Sequence, residues 1–251
     1  MTTSGVAVSH AGPVATVTLR RPDVLNAQTP ATWMALRDIG RELPGDVRVV
    51  IVRGEGRSFS AGLDVAAGTG AGFLAEISQL SADAAAERVR GYQEGFTWLH
   101  RPDIVSVAAV QGHAIGAGFQ LALACDLRVL ADDARLTMAE ITLGLVPDLA
   151  GTKRLVELVG YARALEICLT GRRIAADEAL RLGLATVVVP CADLDSAVSD
   201  LVAALLAAPR DAVVETKALL SGAASRSWEE QLAAEREAQV RRLRDLAGLG
   251  E

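Results

Sequence analysis

Residues 104–126 of this chain, IVSVAAVQGHAIGAGFQLALACD, decide the fold. The run 104–110 is apolar without a polar break of more than one residue, which is typical of a strand that is covered on both faces of a sheet. A turn rich in small residues, 112–120, follows at once, and the apolar stretch after it continues to Asp126 as a predicted helix. A buried strand that passes through a tight turn into a helix indicates an α/β fold with mostly parallel strands.

A second stretch of the chain repeats this layout. The apolar run 47–52 leads directly into residues 54–64, GEGRSFSAGLD. Small residues allow a ligand to approach the backbone closely, so an N–H group from each of the two turns could point at one carbonyl oxygen. Two such donors form an oxyanion hole, which stabilises charge that develops on the oxygen of a thioester or ester.

The rest of the chain alternates between predicted strands and helices. Residues 6–8 and 14–19 bracket a turn and predict a hairpin. Thr29-Pro30 predicts the start of a helix that ends near Leu43. The remaining predictions are a loop at 66–80, helices at 82–99, 152–159, 161–169, 176–182, 193–207, 210–221 and 227–246, and strands at 127–130 and 185–189. We divide the chain into a core, 1–190, and a helical C-terminal region, 191–251.

Composition excludes several classes of function. The net charge of −6 argues against a nucleic-acid surface that neutralises phosphates. The longest apolar stretches are shorter than the roughly 20 residues of a membrane span, and the N-terminus lacks a signal-peptide pattern. The three cysteines have no C-x-x-C spacing, so we expect free thiols and a cytoplasmic protein.

Four blocks of the chain, in this order, match known signatures. They are Arg21-Pro22 with Leu25-Asn26-Ala27; F-x-A-G-x-D at 59–64; G-x-A-x-G-G-G at 112–118, with Ala117 for the middle glycine; and the block from Glu140-Ile141 through Gly151-Thr152 to Arg154-Leu155. Together they resemble the crotonase family, also called the enoyl-CoA hydratase/isomerase family. The resemblance covers roughly residues 14 to 190.

The resemblance implies both an architecture and a ligand. The fold would be a spiral of ββα units with mostly parallel sheets and a helical C-terminal region. The substrate would be an acyl-CoA thioester, with no metal and no separate cofactor, because coenzyme A is part of the substrate. Helices of the C-terminal region would pack between subunits in a homotrimer or a dimer of trimers.

The family's oxyanion donors correspond here to the backbone N–H groups of Leu63 and Ala117. Ala117 keeps its N–H, provided that its φ is negative. Asp64 is included among the expected substrate-binding residues, although we favour a structural role in which it fixes the first turn by hydrogen bonds to backbone N–H groups. Further expected substrate-binding residues are Ala61, Gly62, Gly116, Gly118 and His113.

Three polar side chains are the candidates for acid–base chemistry. Glu140 lies in an apolar context that would raise its pKa, although it could instead cap an element or form a salt bridge. Gln120 stands where family hydratases carry a second glutamate; it cannot take a proton but can orient a water or a substrate group. Asp148 matches an aspartate of members that shift double bonds, or it caps the helix that begins near Gly151.

The activity that these residues imply is proton transfer through a thioester enolate, and the glutamine at position 120 favours double-bond isomerisation. Hydration by Glu140 alone is one alternative, and a non-catalytic acyl-CoA-binding protein is another. Candidates for holding the CoA phosphates are Arg20, Arg21, Arg57, Lys217 and the arginines of the last helix.

Overall fold

The computed structural model describes residues 4–65 and 75–249. Its strands are β1 (Val6–Ala11), β2 (Val14–Leu19), β3 (Val49–Gly54), β4 (Val105–Val110), β5 (His113–Ile115), β6 (Leu127–Ala131), β7 (Arg135–Thr137), β8 (Ile174–Ala175) and β9 (Val187–Val189). Its α-helices are α1 (Pro30–Glu42), α2 (Ala82–Thr97), α3 (Ala117–Ala124), α4 (Gly151–Val159), α5 (Tyr161–Thr170), α6 (Ala176–Arg181), α7 (Leu194–Ala207), α8 (Arg210–Ala223) and α9 (Trp228–Leu246).

The strands form two sheets that are mostly parallel. The larger sheet has the order β1-β2-β3-β4-β6-β9, in which only the β1–β2 hairpin is antiparallel. The smaller sheet has the order β5-β7-β8, with β5 and β7 parallel and β7 and β8 antiparallel. The mixed α/β class and the mostly parallel sheet predicted from the sequence are therefore confirmed.

Both faces of the larger sheet are covered, as the uninterrupted apolar strands require. All six residues of β4 are buried. On one face, α1, α2 and α3 pack against the sheet through large side chains that include Leu36, Phe96 and Phe119. On the other face, α7 contributes the side chains Leu194, Val198 and Val202, which cluster with Val49, Val107 and Val129. Residues beyond 190 thus complete the packing of the sheet, whereas the division of the chain at residue 190 stays a prediction.

Local sequence sets the start of α1 as predicted. The side chain of Thr29 accepts from the backbone N–H of Thr32, the Thr32 hydroxyl accepts from the N–H of Thr29, and Pro30 occupies the first helical position. The predicted loop at 66–80 is wrong for residues 75–78, which are helical, and holds for residues 79–80, while 66–74 lie outside the described residues. Within the described part of the chain, no helix combines the length and apolar character needed to cross a bilayer.

Candidate active site

The two glycine-bearing turns lie against each other. The N–H of Ser60 donates to the carbonyl of His113 (2.8 Å), and the N–H of Ile115 donates to the carbonyl of Ser60 (3.0 Å). Gly62 has φ = 83°, and a Cβ built there would lie 2.4 Å from the carbonyl oxygen of Ile115. Only glycine fits a positive φ and so close a backbone approach, so Gly62 sets how near the two turns come.

One backbone N–H of the first turn is left for a ligand. Four of the five N–H groups between residues 60 and 64 have acceptors, namely the His113 carbonyl for Ser60, the Leu25 carbonyl for Ala61, the Ser60 hydroxyl for Gly62 and the Gln28 carbonyl for Asp64. The fifth, that of Leu63, has no acceptor among the described residues. Because Leu63 also lines a cavity, this N–H is the candidate donor of the first turn.

The second turn supplies a matching donor at the start of α3. Gly116 has φ = 50° and donates its own N–H to the carbonyl of Thr137 (2.8 Å). Ala117 is the first helical residue and is not among the described non-glycine residues with positive φ, so the condition on its conformation is met. Its N–H has no acceptor among the described residues and lies 3.5 Å, at the nitrogen, from a Cβ built on Gly62. The positive end of the α3 dipole adds to this donor.

Leu63 and Ala117 both line one cavity of about 360 Å³. Its wall is largely apolar, and its polar side chains include the three acid–base candidates Gln120, Glu140 and Asp148. The apolar part comes from Trp33, Leu63, Val65, Ile77, Val89, Ile115, Leu143, Leu145, Val146 and Leu149. An apolar cavity with a few convergent polar groups is the usual form of a small-molecule site.

The other predicted substrate-binding residues divide into two groups. Ala61, Gly62 and Gly116 line the cavity. Gly118 and His113 do not: Gly118 packs on the backbone of Ser60, and His113 acts through its carbonyl, which ties the two turns together. These two residues therefore support the site rather than face it.

Asp64 and two of the candidate phosphate ligands have partners inside the fold. Asp64 accepts from the guanidinium of Arg21 (2.9 Å), which also donates to the carbonyl of Ala27. Lys217 donates to Asp126 (2.7 Å) and to two carbonyls, so it anchors α8 to the core. Arg20 pairs with Glu55 at the surface, and Arg57 is exposed. Arg21 and Lys217 are thus structural cations, which corrects their suggested role as phosphate ligands.

Glu140 is buried, at 9% exposure, and its two oxygens have different surroundings. Oε1 accepts from the side-chain amide of Gln120 (2.7 Å). Oε2 is also buried and has no hydrogen-bond partner among the described residues. Burial raises the pKa of Glu140, and the charge of Asp148 raises it further, while hydrogen bonds from the backbone and from Gln120 oppose the shift. A buried carboxyl with one unpaired oxygen and a raised pKa is suited to exchange a proton with a substrate carbon.

The Gln120 amide has a fixed orientation. Its Oε1 accepts from the backbone N–H groups of Leu149 (2.8 Å) and Gly151 (3.3 Å). Because an N–H group only donates, the amide oxygen must face α4, and the amide nitrogen must then face Glu140. A Cβ on Gly151 would lie 2.7 Å from the Gln120 Cγ, so glycine is needed there. Both polar ends of this amide are therefore occupied by the protein.

Asp148 also lines the cavity, and burial raises the pKa of its carboxyl. Its backbone carbonyl accepts from the side chain of Gln93 on α2 (2.7 Å). The alternative prediction, that Asp148 caps α4, is wrong: the capping residue is Ala150, at φ = 66°, and no side chain of the capping residue bonds to the helix. Gln120, far away in sequence, instead accepts the N–H of Gly151, the first residue of α4, together with that of Leu149 just before the helix.

Comparisons with known proteins agree with this geometry. A profile of the family described as enoyl-CoA hydratase/isomerase matches residues 9–245. The short-chain-enoyl-CoA hydratase of Clostridium acetobutylicum is 34% identical over 77% of this chain and 72% of its own length. The chain belongs to the enoyl-CoA hydratase/isomerase family, that is, to the crotonase family.

Solved structures of similar proteins resemble this chain over nearly its whole length. A Thermobifida fusca YX protein assigned to the enoyl-CoA hydratases, crystallised with CoA, is 49% identical, with a TM-score of 0.91 over 98% of this chain and 95% of that one. A Thermobifida fusca YX protein of the same description and the same 49% identity has been crystallised with acetoacetyl-CoA. A Bacillus subtilis (strain 168) relative with the same assignment is 41% identical over 58% of this chain, and this chain spans about half of its length (54%).

Proposed function

We propose that this protein isomerises the double bond of enoyl-CoA thioesters by moving a proton between two carbons of the acyl chain. The observation that carries the proposal is the fixed Gln120 amide, which donates to Glu140 and accepts from α4. An amide cannot take up a proton, so no second carboxylate stands beside Glu140 at this position to activate water. Isomerisation consumes no water and therefore does not need a second carboxylate.

The proposed reaction begins with a 3-enoyl thioester whose carbonyl oxygen accepts from the N–H groups of Leu63 and Ala117. The unpaired oxygen of Glu140 removes a proton from C2, and the two N–H donors stabilise the charge that moves onto the thioester oxygen. The resulting dienolate takes a proton back at C4, the double bond shifts to C2–C3, and the thioester carbonyl re-forms. Proton and electrons are conserved, because the product is an isomer of the substrate.

Asp148 is the proposed second proton carrier. Its carboxyl lines the same cavity as Glu140, and its raised pKa keeps a larger share of it protonated than an exposed aspartate would be. If it delivers the proton at C4, Glu140 ends the turnover protonated and Asp148 ionised, so the two must exchange a proton before the next cycle. If Glu140 returns its own proton, Asp148 acts only through its charge.

Hydration is the second candidate, and the names of relatives favour it. The Clostridium acetobutylicum relative is named a short-chain-enoyl-CoA hydratase, and a Syntrophomonas wolfei relative, 33% identical over 82% of this chain, is named a crotonyl-CoA hydratase. In this chain, hydration would rest on Glu140 alone. A binding protein without turnover is the third candidate, and the unpaired, raised-pKa Glu140 argues against it because binding needs no proton acceptor.

Two further predictions stay open beside the activity: a homotrimer or dimer of trimers, and a cytoplasmic location. Large apolar side chains of α9 are exposed in the single chain, at 81% for Trp228, 55% for Leu243 and 79% for Leu246. A helix face of this kind is expected to pack on a neighbouring subunit. Light scattering of the full chain would give the number of subunits.

The test of the activity compares three thioesters and a binding measurement. We expect turnover of 3-enoyl-CoA, slower loss of crotonyl-CoA, and binding of both by calorimetry. Dienoyl-CoA is the third thioester, and its turnover shows whether a substrate with two conjugated double bonds also reacts. Hydration of crotonyl-CoA at the higher rate would favour the second candidate, and binding without any turnover would favour the third.

A further inference from the structure

The first turn is held by a buried polar chain that lies behind it. Its members are Trp33, Gln28, Ser60 and Asn26, all of them buried. The indole N–H of Trp33 donates to Gln28 Oε1 (2.8 Å), Gln28 Nε2 donates to the Ser60 hydroxyl (3.0 Å), and that hydroxyl donates to the Asn26 carbonyl (2.8 Å). None of these groups is one of the acid–base candidates.

The donor and the acceptor of every hydrogen bond in this buried polar network follow from one group, the indole of Trp33. An indole N–H only donates, so the oxygen of the Gln28 amide must face Trp33 and its nitrogen must face Ser60. The Ser60 oxygen then accepts from Gln28, so its own proton goes to Asn26. With that proton committed, the same oxygen accepts the N–H of Gly62 (3.2 Å).

The backbone of Gln28 acts on the same turn. Its N–H donates to the carbonyl of Gly62 (2.7 Å), and its carbonyl accepts from the N–H of Asp64 (2.8 Å). Gln28 and Leu63 thus form a parallel bridge. In such a bridge Gln28 bonds to the Gly62 carbonyl and the Asp64 N–H, on either side of Leu63. The N–H of Leu63 itself therefore points away from Gln28. Leu63 also lines the cavity.

We propose that Ser60 and Gln28 are the positioning residues of the oxyanion hole, which select the Leu63 N–H as its donor by occupying the N–H groups of Gly62 and Asp64. This inference rests on the proposed function, since it assumes a thioester oxygen at Leu63 and Ala117. It adds that the donor is chosen by the Ser60 hydroxyl and the Gln28 backbone, and neither residue is among those that line the cavity. Trp33, which lines the cavity, connects the wall around the acyl chain to this network.

The test uses Ser60→Ala and acetoacetyl-CoA as the probe. A working oxyanion hole favours the enolate of this thioester, so the bound probe ionises at lower pH than the free one, and the near-ultraviolet absorbance of the enolate reports the shift. In Ser60→Ala the Gly62 N–H loses its acceptor and the turn is free to move. A misplacement near 1 Å costs about 10²-fold in rate, so we expect kcat to fall about 10- to 100-fold and the ionisation shift of the probe to shrink.

Two comparisons separate positioning from a general loss of packing. Ser106→Ala removes another fully buried hydroxyl, which bonds to the Leu99 carbonyl and Asp126; we expect it to lower stability and leave the ionisation of the probe unchanged. Ser60→Cys keeps the size of the side chain with weaker hydrogen bonds, so it should give an intermediate shift. The Ser60→Cys variant also serves as the test if Ser60→Ala does not fold.

The outcomes distinguish this inference from the proposed function. If the wild-type protein neither binds nor ionises acetoacetyl-CoA, the proposed function fails. If the wild-type protein ionises the probe, and Ser60→Ala or Ser60→Cys does so equally well, then Ser60 does not position the donor and the inference is wrong. A shift in the pH profile of kcat in Ser60→Ala would also contradict it, because Trp33, Gln28, Ser60 and Asn26 make no hydrogen bond to Glu140, the proposed proton acceptor.

Discussion

Replacing Glu140 by glutamine separates its role in chemistry from any role in the fold. The new amide can keep an oxygen toward the Gln120 Nε2, 2.7 Å away in the wild-type protein, so the site retains its shape. The unpaired Oε2 becomes an NH₂ group, which cannot accept a proton. General acid–base catalysis contributes about 10²- to 10⁴-fold, and we expect kcat for 3-enoyl-CoA to fall by that factor with little change in the Kd of acetoacetyl-CoA.

The same substitution is expected to stabilise the protein at neutral pH. Burial raises the pKa of Glu140, so the folded protein disfavours the ionised carboxylate more than the unfolded chain does. Between the ordinary pKa of glutamate and the raised one, the wild-type protein therefore loses stability as pH rises. Glu140→Gln removes this loss, so the variant should be more stable than the wild-type protein at neutral pH. The gain should disappear below the ordinary pKa, where the carboxyl is protonated in both states.

The matched control is Glu178→Gln. Hydrogen bonds from Arg172, one of them 2.7 Å long, lower the pKa of Glu178, so this substitution should cost stability at neutral pH and leave activity unchanged. Urea unfolding at several pH values and initial rates on 3-enoyl-CoA measure both properties. Activity of Glu140→Gln within a few-fold of wild type would refute the assignment of Glu140, and a loss of stability at neutral pH would show that its carboxylate is a structural group.

Three further substitutions test the rest of the site. Gln120→Glu places a second carboxylate beside Glu140, so crotonyl-CoA hydration should rise while isomerisation falls or stays level. The buried charge should reduce stability. If the variant folds and binds ligand but hydrates crotonyl-CoA no faster, position 120 does not take part in activating water. Asp148→Asn should lower isomerisation by about 10²-fold or more if Asp148 carries the second proton, whereas an unchanged rate leaves Glu140 as the only carrier. Ala117→Pro removes one oxyanion N–H at the first helical position, where proline is tolerated. We expect kcat to fall about 10²- to 10³-fold, with the circular dichroism spectrum unchanged. Turnover at the wild-type rate would show that this N–H is not part of the site.

The longer elements of the fold could be predicted because their signals are local. The apolar run before Gln111 predicts β4, and Thr29-Pro30 predicts the start of α1 to the residue. Strands β5, β7 and β8 have only two or three residues, too few for any periodicity to show. Their positions depend on backbone pairing with distant segments, which the sequence does not display.

The residues of the site likewise divide into those with local signals in the sequence and those that depend on contacts between distant segments. The two turns could be predicted because each has a recognisable order of small residues, and the family resemblance then assigns Leu63 and Ala117 as the expected donors within them. The orientation of Gln120 could not, since its partners Leu149 and Gly151 lie 29 and 31 residues away. Lys217 resembles a free cation in the sequence, but folding brings it to Asp126, 91 residues away. Polar contacts across the fold decide which side chains remain available for substrate.

The central claim is that proton transfer between carbons, and not addition of water, is the main activity. One absorbance signal tests it, because the conjugated 2-enoyl thioester absorbs in the near ultraviolet and neither a 3-enoyl nor a 3-hydroxyacyl thioester is conjugated in that way. With equal, saturating concentrations of 3-enoyl-CoA or crotonyl-CoA, we expect the signal to rise quickly from the first and to fall slowly from the second. A faster fall with crotonyl-CoA than rise with 3-enoyl-CoA would contradict the account.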